Sequence, residues 1–267
     1  MSEIVFLKLG GSLITEKDRP YTLRTDVCRR LGEEIREVLA ASDLRLLLGH
    51  GAGSFAHVPA AEHRTGEGLA GGGGWKGYAK TRRAVTALSG RLLDAFAAVD
   101  FHPLAVTPSS CARAFDGRLV EMDLRIVRAL LDAGQTPMVC GDALLDDRRG
   151  FTICSTESIF EYAARAFHPT RVLLACDVDG VFAGNPAKQP EARRIPVVTE
   201  SNLAEVLDQA QVARGADVTG GMAGKLRALA EIAALPGVHE ARIFSGLVPG
   251  AVRQALVGGS GAGTVVR

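Results

Sequence analysis

The sequence predicts an α/β sandwich with a mostly parallel sheet, and three observations predict it. Continuous apolar runs of strand length recur along the chain. Stretches of helical period lie between them. The glycine-rich segments fall at the ends of the apolar runs. A strand that is apolar on both faces suits a parallel sheet covered on both sides. Alternation with helices suits crossover connections between such strands. In sheets of this kind ligands sit beyond the carboxyl ends of the strands, where these glycines are.

The elements follow in order. IVFLKLG (4–10) is a short apolar run and reads as a buried strand. Val27, Leu31, Ile35, Val38 and Leu39 then share one helical face. LRLLLG (44–49) is the next strand, and GEGLAGGGG (66–74) reads as a flexible loop. A long helix is predicted over 75–98 and a strand over HPLAVTP (102–108). FDGRLVEM (115–122) carries a D-G turn and predicts a hairpin. LRIVRALLDAG (124–134) is a helix with Gly134 as its C-terminal cap. TPMVCGD (136–142) is a buried strand, and DDRRG (146–150) is a hairpin turn before FTIC (151–154). SIFEYAARAF (158–167) is a helix capped at Ser155 or Thr156. RVLLACDVDGVF (171–182) is the strongest apolar strand of the second half, followed by a proline-rich excursion over 184–196. NLAEVLDQA (202–210) and GMAGKLRALAEIAAL (221–235) are helices, ARIFSG (241–246) is a strand, and TVVR (264–267) reads as an edge strand.

The bulk numbers narrow the function. A chain of 267 residues, 47% hydrophobic and 23% charged, forms one large domain or two lobes with an ample core. Lys plus Arg is 31 and Asp plus Glu is 30, which gives no bulk bias toward nucleic acid or a membrane surface. Glu3 and Lys8 interrupt the only apolar start, so no secretory signal is expected, and no apolar run is long enough to predict a transmembrane helix. Five scattered cysteines without a C-x-x-C pair predict buried, reduced thiols in a cytosolic protein.

Six segments carry chemistry. In KLGGS (8–12), Gly10 and Gly11 free backbone N–H groups for an anion at a strand end that also carries Lys8. The spacing is not that of a Walker loop, and a plain tight turn with a solvated lysine is an equal reading. GHGAGSFAH (49–57) is the second bare loop, closed by His57; a lone histidine is more often a surface or core residue than a ligand. His50, inside the turn, reads as structural. Gly141-Asp142 ends a strand, and STES (155–158) opens a helix whose N-terminus suits phosphate, or simply needs a cap. CDVDGVF (176–182) places two carboxylates after a buried strand, or makes a D-G turn. In DVTGGMAGK (217–225), glycines precede a helix carrying Lys225. Several anion-suited loops with Lys8, Lys17 and Lys225, and few metal ligands, point to phosphoryl transfer, which needs positioning and charge neutralisation rather than a covalent nucleophile. No G-x-S-x-G elbow and no H-E-x-x-H motif is present.

These residues, in this order, resemble the amino acid kinase superfamily over most of the chain. Within it, KLGGSLITEKDRP, GHGAGSFAH, TPMVCGD, FTICSTESI, DVDGVF and DVTGGMAGK are most similar to the isopentenyl phosphate kinase family. The histidine ending the second loop separates that family from relatives acting on carboxylates or UMP; fosfomycin kinases share it. The resemblance implies a three-layer αβα sandwich, with an acceptor-phosphate lobe at 1–168 and a nucleotide lobe at 169–267 on one continuous sheet. It implies ATP-dependent phosphorylation of isopentenyl phosphate, in isoprenoid biosynthesis on the mevalonate pathway, with Mg²⁺ carried by ATP and no protein metal cage. A fosfomycin or phosphonate kinase, and a non-catalytic ATP-binding module, are the alternatives. The expected partner is a small molecule, in a cytoplasmic homodimer that engages neither nucleic acid nor membrane.

The resemblance also assigns residues. Lys8, Gly10, Gly11 and Ser12, with Gly53, would cradle the transferring phosphate. Lys8, Lys17 and Lys225 would neutralise its charge, with Glu157 holding the lysines. Ala52, Gly53 and His57 would grip the acceptor's phosphate, with Gly141 and Thr156 nearby. Asp177, Phe182, Gly221 and Lys225 would line the nucleotide. Two places depart from the family pattern. Ala52 replaces a glycine, which is compatible only with a negative φ. Thr156-Glu157 replaces glycine-aspartate, so the longer Glu157 must reach the lysines from a shifted backbone. Tyr78, Val85 and Leu88 are candidates to line the acceptor's tail, or plain helix core.

Overall fold

A computed structural model of the chain describes residues 2–184, 189, 191–212, 221–259 and 261–267. The first half runs β1 (Ile4–Leu9), α1 (Gly11–Ile14), α2 (Thr25–Ala40), β2 (Arg45–His50), α3 (Gly53–Glu62), α4 (Gly74–Ala97), β3 (Leu104–Ala105), β4 (Ala112–Phe115), β5 (Arg118–Met122), α5 (Arg125–Asp132), β6 (Pro137–Cys140), β7 (Asp142–Asp146), β8 (Gly150–Cys154) and α6 (Thr156–Phe167). The second runs β9 (Arg171–Cys176), β10 (Val181–Phe182), β11 (Arg194–Ile195), β12 (Val197–Val198), α7 (Glu200–Val212), α8 (Gly221–Ala233), β13 (Glu240–Ser245), α9 (Ala251–Leu256) and β14 (Thr264–Val266).

Among the described residues the main sheet has eight strands in the order β12-β14-β13-β9-β1-β2-β6-β3. Its neighbours pair parallel except β13 with β14. Side chains alternate across a strand, so each central strand feeds two cores. Val5, Leu7, Leu46, Leu48, Leu173 and Ala175 join Leu31, Ile35, Leu88 and Leu92 of α2 and α4 on one face. Phe6, Leu47, Val172 and Leu174 join Ile159, Phe160, Leu226 and Leu229 of α6 and α8 on the other. Helices therefore cover both faces, and the architecture is the expected three-layer sandwich. A four-stranded sheet, β5-β4-β7-β8, flanks it.

Local signals held where their chemistry is short-range. Asp116 and Gly117 both have positive φ, as a D-G hairpin turn requires. Gly134 has φ +69°, and the amides of Gly134 and Gln135 donate to Leu131 O and Leu130 O, the paired bonds of a Schellman cap.

Four expectations need correction. The glycine-rich stretch 66–74 is not a flexible loop: Thr65–Gly71 is a 3-10 segment packed on β8, with Leu69 N donating to Arg149 O at 2.9 Å. Its Gly68 serves close approach, because a Cβ there would lie 2.4 Å from Arg149 O. The strand expected over 102–108 shrinks to β3. The run 171–182 is broken after Cys176 by a turn before β10. TVVR is not an edge, since β14 lies between β12 and β13 and the edge is β12. Parts of the 184–196 excursion and of DVTGGMAGK (217–220) lie outside the described residues.

Candidate active site

Parallel pairing brings the carboxyl ends of β1, β2, β6 and β9 together. Lys8, near the end of β1, pairs with Gly49 of β2 and Leu174 of β9, and it is buried. Immediately beyond it the two glycine loops touch backbone to backbone. A Cβ on Gly11 would lie 2.3 Å from Gly53 N, and one on Gly51 would lie 2.6 Å from Gly11 N. Gly53 has φ +48°, and its Cβ would fall 2.2 Å from Thr15 Oγ1. Thr15 is the clamp: its hydroxyl donates to Gly11 O at 2.8 Å and accepts from Ser54 N at 3.0 Å. Sequence reading missed Thr15, which carries no local signal beyond a hydroxyl near a glycine pair. Ala52 has φ −81°, the negative value that an alanine needs there.

The first residues of α3 and α6 line the cleft, so the N-terminal amides and dipole ends of two helices face it. Glu157 sits in the first turn of α6, and its Oε2 lies 2.5 Å from Lys8 Nζ with both side chains buried. The longer carboxylate thus reaches its lysine. Burial raises the Glu157 pKa, but the charges of Lys8 and Lys225 outweigh it and hold the group below the usual glutamate range. Burial lowers Lys8 from the lysine range, Glu157 opposes that, and the like charge of Lys225 adds to it. A lysine so placed gains from any further negative charge in the cleft.

One cleft joins most of the expected residues. Lys8, Gly11, Ser12, Ala52, Gly53, His57, Gly141, Thr156, Glu157 and Lys225 all line it. Ala56, Ala60, Thr81, Val85, Ile153 and the buried Asp142 line it as well. Of the three tail candidates only Val85 is there. Tyr78 stacks on Trp75 and Phe151, and Leu88 is core. Gly10 closes the turn instead, donating to Ala175 O at 2.8 Å. Lys17 and Asp177 lie beside the cleft, paired at 2.6 Å with Lys17 largely exposed. Phe182 is in β10, and Gly221, φ +58°, begins α8.

Two small residues of the cleft wall also bond to each other. Thr156 Oγ1 donates to His50 O at 2.7 Å and accepts from Gly141 N at 2.8 Å, so the Gly141 amide is engaged inside the protein. The cap of α6 is Ser155, whose Oγ accepts from Ser158 N. His50 is structural as expected. Its Nδ1–H donates to Gly51 O and its Nε2 faces Ser89, while burial pulls its pKa down to about 4. The cysteines are all free; four are buried, whereas Cys111 is only half-buried. Burial pushes Cys28, Cys140 and Cys154 up to about 12, which makes them poor nucleophiles.

The geometry has counterparts. The sequence model described as Amino acid kinase family matches residues 3–245. The isopentenyl phosphate kinase of Methanothermobacter thermautotrophicus is 37% identical over 98% of both chains. That of Haloferax volcanii is 32% identical over 99% of this chain and 98% of its own. A structure titled "X-ray structures of isopentenyl phosphate kinase" superposes with a TM-score of 0.83 at 33% identity, over 99% of this chain and 100% of that one. Carbamate kinase from Giardia lamblia, at 17% identity and a TM-score of 0.63, shares the fold.

Proposed function

The chain belongs to the amino acid kinase family, and from that premise we propose that its cleft transfers the γ-phosphoryl group of ATP to isopentenyl phosphate, giving isopentenyl diphosphate and ADP. A non-bridging oxygen of the acceptor phosphate attacks the γ-phosphorus in line. The bond from that phosphorus to the bridging oxygen breaks, and ADP leaves with the electron pair. The observation that carries the reading is the buried Lys8–Glu157 pair with Lys225 beside it, opening on one cleft that His57 and the apolar side chains of Ala56, Ala60, Val85 and Ile153 also line.

In this reading Lys8 and Lys225 neutralise charge on the transferring group, and Lys17 joins them from the rim. Glu157 fixes Lys8 and its charge offsets the burial that lowers the lysine's pKa. Gly11 and Ser12 cradle the moving phosphate, while Gly10, its amide engaged by Ala175 O, shapes the loop behind them. His57 and the amides around Ala52 and Gly53 hold the acceptor's phosphate. Asp177, Phe182 and Gly221 line the nucleotide. Ala56, Ala60, Val85 and Ile153 favour a hydrocarbon tail over a compact polar phosphonate. The reach of Glu157 to Lys8 counts against a module that binds without turnover.

Among the described residues no three His, Cys, Asp or Glu side chains cluster to hold a metal. Mg²⁺ would enter with ATP and neutralise charge on its phosphates. The proposal includes a homodimer in the cytoplasm, a compartment that suits five free thiols.

ADP release with Mg-ATP, compared across isopentenyl, dimethylallyl and geranyl phosphates and fosfomycin, tests the function. Turnover with the short prenyl phosphates, and an acceptor KM raised about tenfold or more in His57→Ala, is expected. Turnover with fosfomycin alone would overturn the substrate and leave the chemistry.

A further inference from the structure

Thr156 holds a place that neither phosphate chemistry nor helix capping requires. It is the first residue of α6, 1% exposed, and the cap beside it is Ser155. Its hydroxyl bridges two strand ends: it donates to His50 O of β2 and accepts from the Gly141 amide after β6. Its methyl is fixed as well. A Cβ on Gly49 would lie 2.7 Å from Thr156 Cγ2, so the glycine leaves the space that this methyl fills. On the other side a Cβ on Gly141 would lie 3.1 Å from Cys154 O and 3.2 Å from Thr156 N. The start of α6 is thus wedged between two strand ends, each of which has a glycine at the contact.

The wedge sits one rung from the chemistry. Gly49 is the β2 partner of Lys8, and His50, which takes the Thr156 hydrogen bond, is the next residue along the same strand. The residue after Thr156 is Glu157, whose carboxylate meets Lys8. The clasp and the ion pair therefore connect the same two elements, α6 and the β1–β2 ladder, through adjacent residues.

We propose that Thr156 is a positioning residue, whose hydroxyl clasp on His50 and Gly141 sets the height of the first turn of α6 so that Glu157 meets Lys8. It acts through Glu157 and touches neither the nucleotide nor the acceptor. The inference rests on the kinase reading above, and wild-type turnover is the control for that reading. The clasp is judged only on ratios among variants.

The test is steady-state kinetics with Mg-ATP and isopentenyl phosphate for Thr156→Val, Thr156→Ser, Glu157→Gln and the double variant Thr156→Val/Glu157→Gln. Thr156→Val keeps the shape and removes both hydrogen bonds. It should lower kcat about tenfold or more and leave both KM values within about threefold. Thr156→Ser, which keeps the hydroxyl, should retain most of the rate. In the Glu157→Gln background the valine should cost little further, because the carboxylate it positions is already gone. Circular dichroism and melting check the fold. Should valine disrupt it, Thr156→Ala removes the same two bonds without a branched side chain. Equal losses in Thr156→Val and Thr156→Ser would overturn the proposal. So would a rise confined to the acceptor KM, which would make Thr156 a direct contact, or losses that multiply in the double variant.

Discussion

Lys8 and Glu157 are each expensive to bury alone, and they are tolerable because each neutralises the other. Glu157→Gln leaves Lys8 out of water without its counter-charge. Urea unfolding should show a loss of about 3 kcal/mol, and kcat should fall by at least an order of magnitude. A variant that lost stability but kept its rate would remove Glu157 from the chemistry. Gly53 is constrained differently. Its φ is +48° and a Cβ would overlap Thr15 Oγ1, so Gly53→Ala meets both backbone strain and a clash. It should lose about 1–3 kcal/mol and raise the acceptor KM, whereas Ser12→Ala leaves the fold intact. The paired glycines were legible because each pair follows an apolar run that reads as a strand, whereas Lys8 and His57 stood out only through the family resemblance, since a lysine at a strand end and a lone histidine carry no role by themselves. Thr15 and the clasp on Thr156 were not legible. Their roles depend on which distant carbonyl or amide the fold brings near, and no spacing along the chain encodes that.

Asp146, at the end of β7, shows an element held by one side chain. Its carboxylate accepts from the amides of Asp116, Gly117, Arg148 and Arg149 at 2.7–3.0 Å, and so binds the β4–β5 turn to the β7–β8 turn. Burial raises its pKa, but those amide hydrogen bonds outweigh it and leave the group below the usual aspartate range. A depressed folded pKa means that the stabilisation is fully present above the unfolded value, near 3.8, and is lost as pH falls through the folded value. Asp146→Asn should therefore cost about 2 kcal/mol at pH 7, and the gap from wild type should narrow in urea titrations below about pH 4. A gap that did not change with pH would show that shape rather than charge holds the turns. The turns themselves were readable from D-G and DDRRG, but their joining was not. Nor was α3, whose segment GSFAHVPAAE has no amphipathic period and places Pro59 inside the helix. It is helical because its ends are fixed, by the backbone contacts of Gly53 and by packing on α4, against its own propensity.

The whole molecule raises the question of whether residues 1–168 and 169–267, which we propose bind acceptor and nucleotide, are separate bodies. Alternating strands and helices made the layered class legible, since that pattern has few packed solutions. Strand order was not legible, because apolar runs of similar composition do not name their neighbours. In the sheet, β3, β6, β2 and β1 come from the first half, and β9, β13, β14 and β12 from the second. They meet where β1 pairs with β9 from Val5–Arg171 to Leu9–Ala175. Both cores cross that seam: Phe6 packs in one cluster with Val172 and Leu174, and Leu7 in the other with Leu173 and Ala175. Across it Glu3 bonds Arg171, and Glu34 of α2 accepts from the amides of Gly250, Val252 and Arg253 at the start of α9. Opening the seam would cut through both cores, and fragment 1–168 would expose β1 as a bare apolar edge, prone to aggregate. The full chain should therefore melt in one transition, with equal calorimetric and van't Hoff enthalpies. Nucleotide bound only at the second half's edge should still move all of it, by about 2.7 kcal/mol at a hundred times its Kd. Two transitions, with ATP shifting only one, would instead show lobes that fold apart, and Lys8 and Lys225 would then be brought into register by docking rather than by folding.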